Sequence, residues 1–142
     1  MIHKIDETIS VAPQIAPEQV AGLAAAGFVA IVNNRPDGEV ADQPDGAAIA
    51  AAAKAAGLAY TAIPVTHAGF SANQVTAMAA VLEAAGGPVL AYCRSGTRSC
   101  NLWALAAASK GGDPAHLVEK GARAGYDLTG IRPMLDALSG KA

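Results

Sequence analysis

Aromatic residues make up only 4% of this 142-residue chain, and charged residues only 15%. With so few rings and no run of basic residues, the chain lacks the basic, aromatic-studded stripe of a nucleic-acid-binding surface. Nucleic acid is therefore not an expected partner. No apolar run approaches the roughly 18–20 residues of a membrane span, so no membrane partner is expected either. The opening residues, Met1-Ile2-His3-Lys4-Ile5-Asp6, lack the apolar core of a signal peptide. Two cysteines are too few for a disulfide framework and fit a reducing compartment, so the cytoplasm is the expected location. No Cys/His spacing matches a metal site and no glycine fingerprint matches a nucleotide cofactor. Neither a metal nor a cofactor is expected. Internal repeats, low-complexity tails and linkers are also missing, so residues 1–142 read as one domain with one substantial core.

What the chain does have is alternation. Thr8 to Val11 is a short strand candidate, and Pro17 opens a helix carrying Val20, Leu23 and Ala24 that Gly27 stops. Phe28 to Val32 is a continuous apolar run, as expected of a strand covered on both faces. Asp45 is placed to cap an alanine-rich helix over residues 47–56, closed by Gly57. Tyr60 to Val65 reads as the third core strand. Ser71 and Gln74 make a capping box for a helix presenting Val75, Met78, Ala79 and Leu82 to the core. Val89 to Tyr92 is a further buried strand. The helix from about Arg98 to Ser109 packs through Leu102, Trp103, Leu105 and Ala106. Asp113-Pro114 starts another helix, and a last one holds Met134, Leu135 and Leu138. Strands alternating with helices predict an α/β domain: a mainly parallel central sheet of about four to five strands flanked by helices.

The chemistry concentrates in Cys93-Arg94-Ser95-Gly96-Thr97-Arg98-Ser99. A strand that ends at a cysteine and passes through a short loop into a helix makes an anion site, because the helix start leaves N–H groups unpaired and partly positive. A sulfur at the head of that loop sits among those dipoles, which favour the thiolate. Arg98 adds a planar fork of donors for an oxyanion, and Arg94 a second charge. Gly96 lets the backbone bend so that successive N–H groups converge. Ser95, Gly96 and Thr97 complete the anion-binding loop, and Ser99 is placed to hydrogen-bond the thiolate from the helix start. Cys93 and Arg98 are the expected catalytic pair. Cys100 reads as a buried helix residue.

Two other loops fall at strand ends, where open α/β sheets bind ligands. Residues 33–39 bring Arg35, a further anion-binding candidate, and Asp37. Residues 66–70 bring His67. Asp37 and His67 are the candidate proton donors. His3 and His116 have no partner visible in the sequence.

The cysteine loop resembles the active loop of single-domain rhodaneses, in which four residues separate Cys from Arg; protein tyrosine phosphatases place five there. Rhodaneses usually carry an Asp-Val-Arg strand and a Gly-His-Ile motif upstream, and neither is present. The run from Phe28 to Glu39, the Ile63-Pro64-Val65 strand and the Cys93 loop together resemble instead the phosphatase-like domain of bacterial β-lactamase-hydrolase-like proteins, over roughly Ile5 to Leu138. That resemblance implies a dual-specificity-phosphatase-like fold. Some members of the family are fused to a metallo-β-lactamase-like domain of the persulfide dioxygenase type, which implies a partner of that kind. Dual-specificity phosphatases carry an Asp general acid in the loop that corresponds to Thr66–Phe70, and no carboxylate is present there.

Three functions are therefore carried forward. The first is sulfur transfer through a Cys93 persulfide, with thiosulfate or a persulfide as the small anionic substrate; the six-residue loop and the missing Asp favour it. Second comes phosphoester hydrolysis through a phosphocysteine, favoured by the whole-chain resemblance. A non-catalytic module that binds an anion or a partner through the same loop is third.

Overall fold

Two uninterrupted buried stretches take the middle of the sheet. In the computed structural model, which describes residues 1–140, these are β3 (Ala30–Asn33) and β5 (Val89–Tyr92), paired in parallel from Ala30–Val89 to Asn33–Tyr92. β2 (Ile9–Ala12) lies parallel on the other side of β5, and β4 (Ala59–Ala62) parallel on the outer side of β3. A two-residue strand, β1 (His3–Lys4), adds antiparallel to β2, giving the order β1-β2-β5-β3-β4. Six α-helices flank the sheet among the described residues: α1 (Val20–Ala25), α2 (Gly46–Ala56), α3 (Ala72–Ala84), α4 (Thr97–Ser109), α5 (Pro114–Arg123) and α6 (Arg132–Ser139). None is long and apolar enough to cross a membrane.

The period of two along each strand divides the core. Ile9, Val11, Ala30, Val32, Val89 and Ala91 face one side, where α3, α4, α5 and α6 cover them. Ala12, Ile31, Leu90 and Tyr92 face the other, against Val20 and Leu23 of α1 and Ile49 and Ala53 of α2. This three-layer α/β arrangement is the one expected. α4 is its best-buried helix, with Leu102, Trp103, Leu105 and Ala106 all inside.

Several boundaries differ from expectation, each for a physical reason. β3 starts at Ala30, not Phe28, because Phe28 donates its N–H to Leu23 O and still belongs to the turn that closes α1. β4 is an edge strand of half-exposed residues and ends at Ala62. Beyond it, Ile63 and Val65 donate to Asn33 O and Asn34 O, while Pro64 between them has no N–H to give. Asp45 precedes α2 without capping it by a side-chain hydrogen bond. In α6 only Leu135 is buried; Met134 and Leu138 stay 41% and 40% exposed, because the helix turns them away from the core. By contrast, Ser71 and Gln74 form the full capping box on α3, and Asp113 accepts from His116 N at the start of α5.

Because β3, β4 and β5 are parallel, their C-terminal ends lie at one edge of the sheet. The loops that follow them meet there.

Candidate active site

Cys93 follows β5, its N–H donating to Ala12 O, and it is 0% exposed. The backbone then turns through Gly96 at φ 89°, a left-handed conformation that glycine adopts without steric cost. That turn brings the Gly96 N–H to 3.1 Å from Cys93 Sγ and delivers the chain into α4 at Thr97. Ser95 Oγ and Thr97 Oγ1 lie 3.0 Å apart on the exposed rim. The loop therefore has the strand–cysteine–glycine–helix form expected of it.

Arg98, in the first turn of α4, is held from outside the loop. Its Nη1 donates to Glu39 Oε2 (2.7 Å) and to Val65 O (2.7 Å), and Nη2 donates to Glu39 Oε1 (2.9 Å). A guanidinium has five N–H donors, so these contacts leave Nε–H and the second Nη2–H. Those two point side by side along the other edge of the plane, the geometry that matches two oxygens of an oxyanion. The Arg98 guanidinium holds the Glu39 carboxyl well below its ordinary 4.5, at about 2; burial opposes this and Arg35 assists. Glu39 in turn pushes Arg98 up, against burial, with Cys93 contributing in the same direction.

Arg35 does not line the cleft beside the cysteine loop. It is only 5% exposed, and it braces Glu39 from behind through Nε (2.9 Å) while Nη1 reaches Gln14 Oε1 (3.1 Å). Ser99 also differs from expectation. Its hydroxyl is fully buried and donates to Asn34 Oδ1 at 2.8 Å instead of to the sulfur, and Asn34 Nδ2 donates onward to Ile63 O. One buried amide thus ties the ends of β3 and β4 to the start of α4.

The loops enclose an open cleft of about 580 Å³, lined by Asp37, Glu39, His67, Arg94, Ser95 and Arg98 among others. Arg94 is exposed there and has no hydrogen-bond or ion-pair partner among the described residues. Asp37 does reach the cleft from β3, but its Oδ1 accepts the first amide of α2, Gly46 N, at 2.8 Å. It supplies the cap expected of Asp45. His67 sits exposed on the opposite rim. Cys100 is buried in the core, and burial pushes its thiol up to about 12, the Cys93 charge adding to the effect. His3 and His116 lie outside the cleft: His3 meets the ring of Tyr126 edge-on, and His116 lies on α5. Among the described residues no group of three or more His, Cys, Asp or Glu side chains is placed to hold a metal ion.

Glu39, Asn34, Gln14 and Tyr126 support the site without having been expected site residues. Glu39 left a local trace, an acid four residues after Arg35 in a strand-end loop. Its bond to Arg98, 59 residues away, left none.

The family model for the phosphatase-like domain of β-lactamase hydrolase-like proteins matches residues 2–110. The chain belongs to this family. A β-lactamase hydrolase-like protein of Xylella fastidiosa is 35% identical over 128 residues; the match takes in 89% of this chain but 30% of that protein, so the chain spans under a third of its relative's length. A candidate phosphatase of Neisseria meningitidis, solved as a crystal structure, is 33% identical with a TM-score of 0.82, over 96% of this chain and 97% of that one. TpbA of Pseudomonas aeruginosa, solved with phosphotyrosine, shares the fold alone: 17% identity and a TM-score of 0.64, over 99% of this chain and 91% of its own. The phosphatase-like domain is thus a phosphatase-like α/β fold, and its shortened cysteine loop is carried on that scaffold, not on a rhodanese one.

Proposed function

We propose that the domain hydrolyses phosphomonoesters through a phosphocysteine on Cys93. Sulfur transfer rested on loop length and on the missing Asp, whereas family and fold both favour the phosphatase reading, so the order of the two is reversed. The observation that carries the reading is the Nε–H/Nη2–H edge that Arg98 keeps clear of Glu39 and Val65, within reach of Cys93, in an open polar cleft on a phosphatase-like fold.

The thiolate attacks phosphorus, forming the S–P bond as the bond to the leaving oxygen breaks. The loop N–H groups and the free edge of Arg98 take the phosphoryl oxygens, whose charge they stabilise without reorganising. The leaving oxygen takes a proton from His67. Water then attacks the phosphocysteine, the S–P bond breaks, the thiolate returns, and His67 recovers its proton from the water. His67 suits this better than Asp37, because Asp37 Oδ1 is already engaged by the first amide of α2, Gly46 N. Arg94, exposed on the rim without a partner among the described residues, meets the incoming anion first.

Turnover of p-nitrophenyl phosphate tests the reading, with acid-quenched protein weighed intact to find the phosphocysteine. Cys93→Ser should abolish both. His67→Ala should slow an alkyl phosphate by about 10²–10⁴, and p-nitrophenyl phosphate far less, because nitrophenolate leaves without a proton. A persulfide adduct after thiosulfate, with no aryl phosphate turned over, would restore sulfur transfer in its place.

A further inference from the structure

The peptide unit between Ser95 and Gly96 has a partner at each end. Its N–H donates to Cys93 Sγ at 3.1 Å. Its carbonyl, on the opposite side of the same trans plane, accepts from the hydroxyl of Tyr126 at 3.1 Å. Gly96 tolerates either sign of φ, so the plane can turn over at little steric cost, aiming the carbonyl at the sulfur and the N–H outward. A carbonyl so placed would repel both a thiolate and an incoming oxyanion.

Tyr126 comes from a distant part of the fold, between α5 and the 3-10 turn before α6. Gly125 at φ 99° turns the chain there, and Tyr126 N donates to Gly121 O at 2.8 Å. The half-buried ring packs on the core and takes the His3 ring edge-on, with centroids 5.5 Å apart. The fit to the loop is close: a Cβ added to Gly96 would stand 2.2 Å from the Tyr126 oxygen. Glycine at this position therefore bends the loop and also makes room for the hydroxyl. Burial pushes the Tyr126 phenol up, with Cys100 and Cys93 adding to the effect, so it remains a protonated donor at neutral pH. Tyr126 also lies beyond residues 2–110, where the family model ends.

We propose that Tyr126 is a positioning residue for the reaction: by holding the Ser95 carbonyl outward, its hydroxyl keeps the Gly96 N–H turned in toward the Cys93 sulfur and the phosphoryl oxygens that bind there. The inference rests on the reading of Cys93 as the nucleophile. The charged and titratable groups that act on Cys93 are Arg98, Cys100 and Tyr126 itself.

Tyr126→Phe removes the donor and keeps the ring. Alkylation of Cys93 by iodoacetamide, followed against pH in the whole chain, should shift its midpoint upward by about one pH unit, the worth of a hydrogen bond to a charged sulfur. In parallel, kcat for p-nitrophenyl phosphate should fall about tenfold, with KM changing less. His3→Ala, which loosens the ring and leaves the hydroxyl, serves as the packing control and should lower the melting temperature without moving the midpoint. A Tyr126→Phe profile superimposed on the parent overturns the proposal, as does an equal displacement in His3→Ala. If the midpoint moves and no aryl phosphate is turned over, the positioning role stands while the reaction assigned above falls.

Discussion

A carboxylate bonded to the arginine that should receive an oxyanion is at first sight a poor arrangement, because it cancels the charge the ligand needs. The geometry of Glu39 decides what it does. It takes one edge of Arg98 and leaves the other, so the ion pair fixes the plane of the guanidinium, and fixed donors stabilise a transition state better than free ones. Glu39→Gln separates orientation from charge. The amide offers one acceptor in place of two, so if orientation dominates, kcat/KM for p-nitrophenyl phosphate should fall about tenfold, the equivalent of one hydrogen bond to a charged group. If cancelled charge dominates, the same substitution should raise it. Steady-state kinetics at an ionic strength near 0.15 M distinguishes the two signs.

At the scale of elements, whatever depends on near neighbours in the chain was readable. The capping box on α3 is one case. Removing it in Ser71→Ala should cost about 1 kcal/mol in urea unfolding, with the cleft loops unchanged, since among the described residues Ser71 Oγ accepts only Gln74 N. The strand–Cys93–Gly96–α4 turn was equally legible, because a buried run, a glycine and a polar helix start are all local signals. β4 was not. Its residues carry the composition of a core strand, and only the order of strands, a long-range property, puts it at the edge. β1 is two residues long, too short for any periodicity to show. The same reason hid the site's supports. Asp37 caps α2 across nine residues, Asn34 meets Ser99 across 65, and the loop carbonyl meets Tyr126 across 31. Asp45 stood in the right place along the chain and Asp37 in the right place in space. The helix took the second.

For the molecule as a whole, the network around Glu39 links the site to stability. The folded state holds its carboxyl at about 2 against an ordinary 4.5, so between those values the unfolded chain binds the proton more readily. The stabilisation is therefore complete above about pH 4.5 and is lost as pH falls toward 2. Urea midpoints at pH 7, 5 and 3 should drop chiefly in the last interval, and Glu39→Gln should flatten that step. A drop of equal size in the variant would assign the acid limb to other carboxylates, with Asp6, held low against its burial by Thr8 and Lys120, the first to examine.

α4 opens at the cysteine loop and runs on as the most deeply buried helix among the described residues, so the amides in its middle have no local route to solvent. Their deuterium uptake has to wait for opening of the whole domain, whereas amides on the edge strand β4 can exchange through small fluctuations. Under the function proposed above, phosphate bound only to the folded loop would make the global opening rarer by the factor 1 + [L]/Kd. Protection in the middle of α4, around Leu102 to Ala106, consequently counts loop occupancy at a distance from the loop, while uptake along β4 stays as it was.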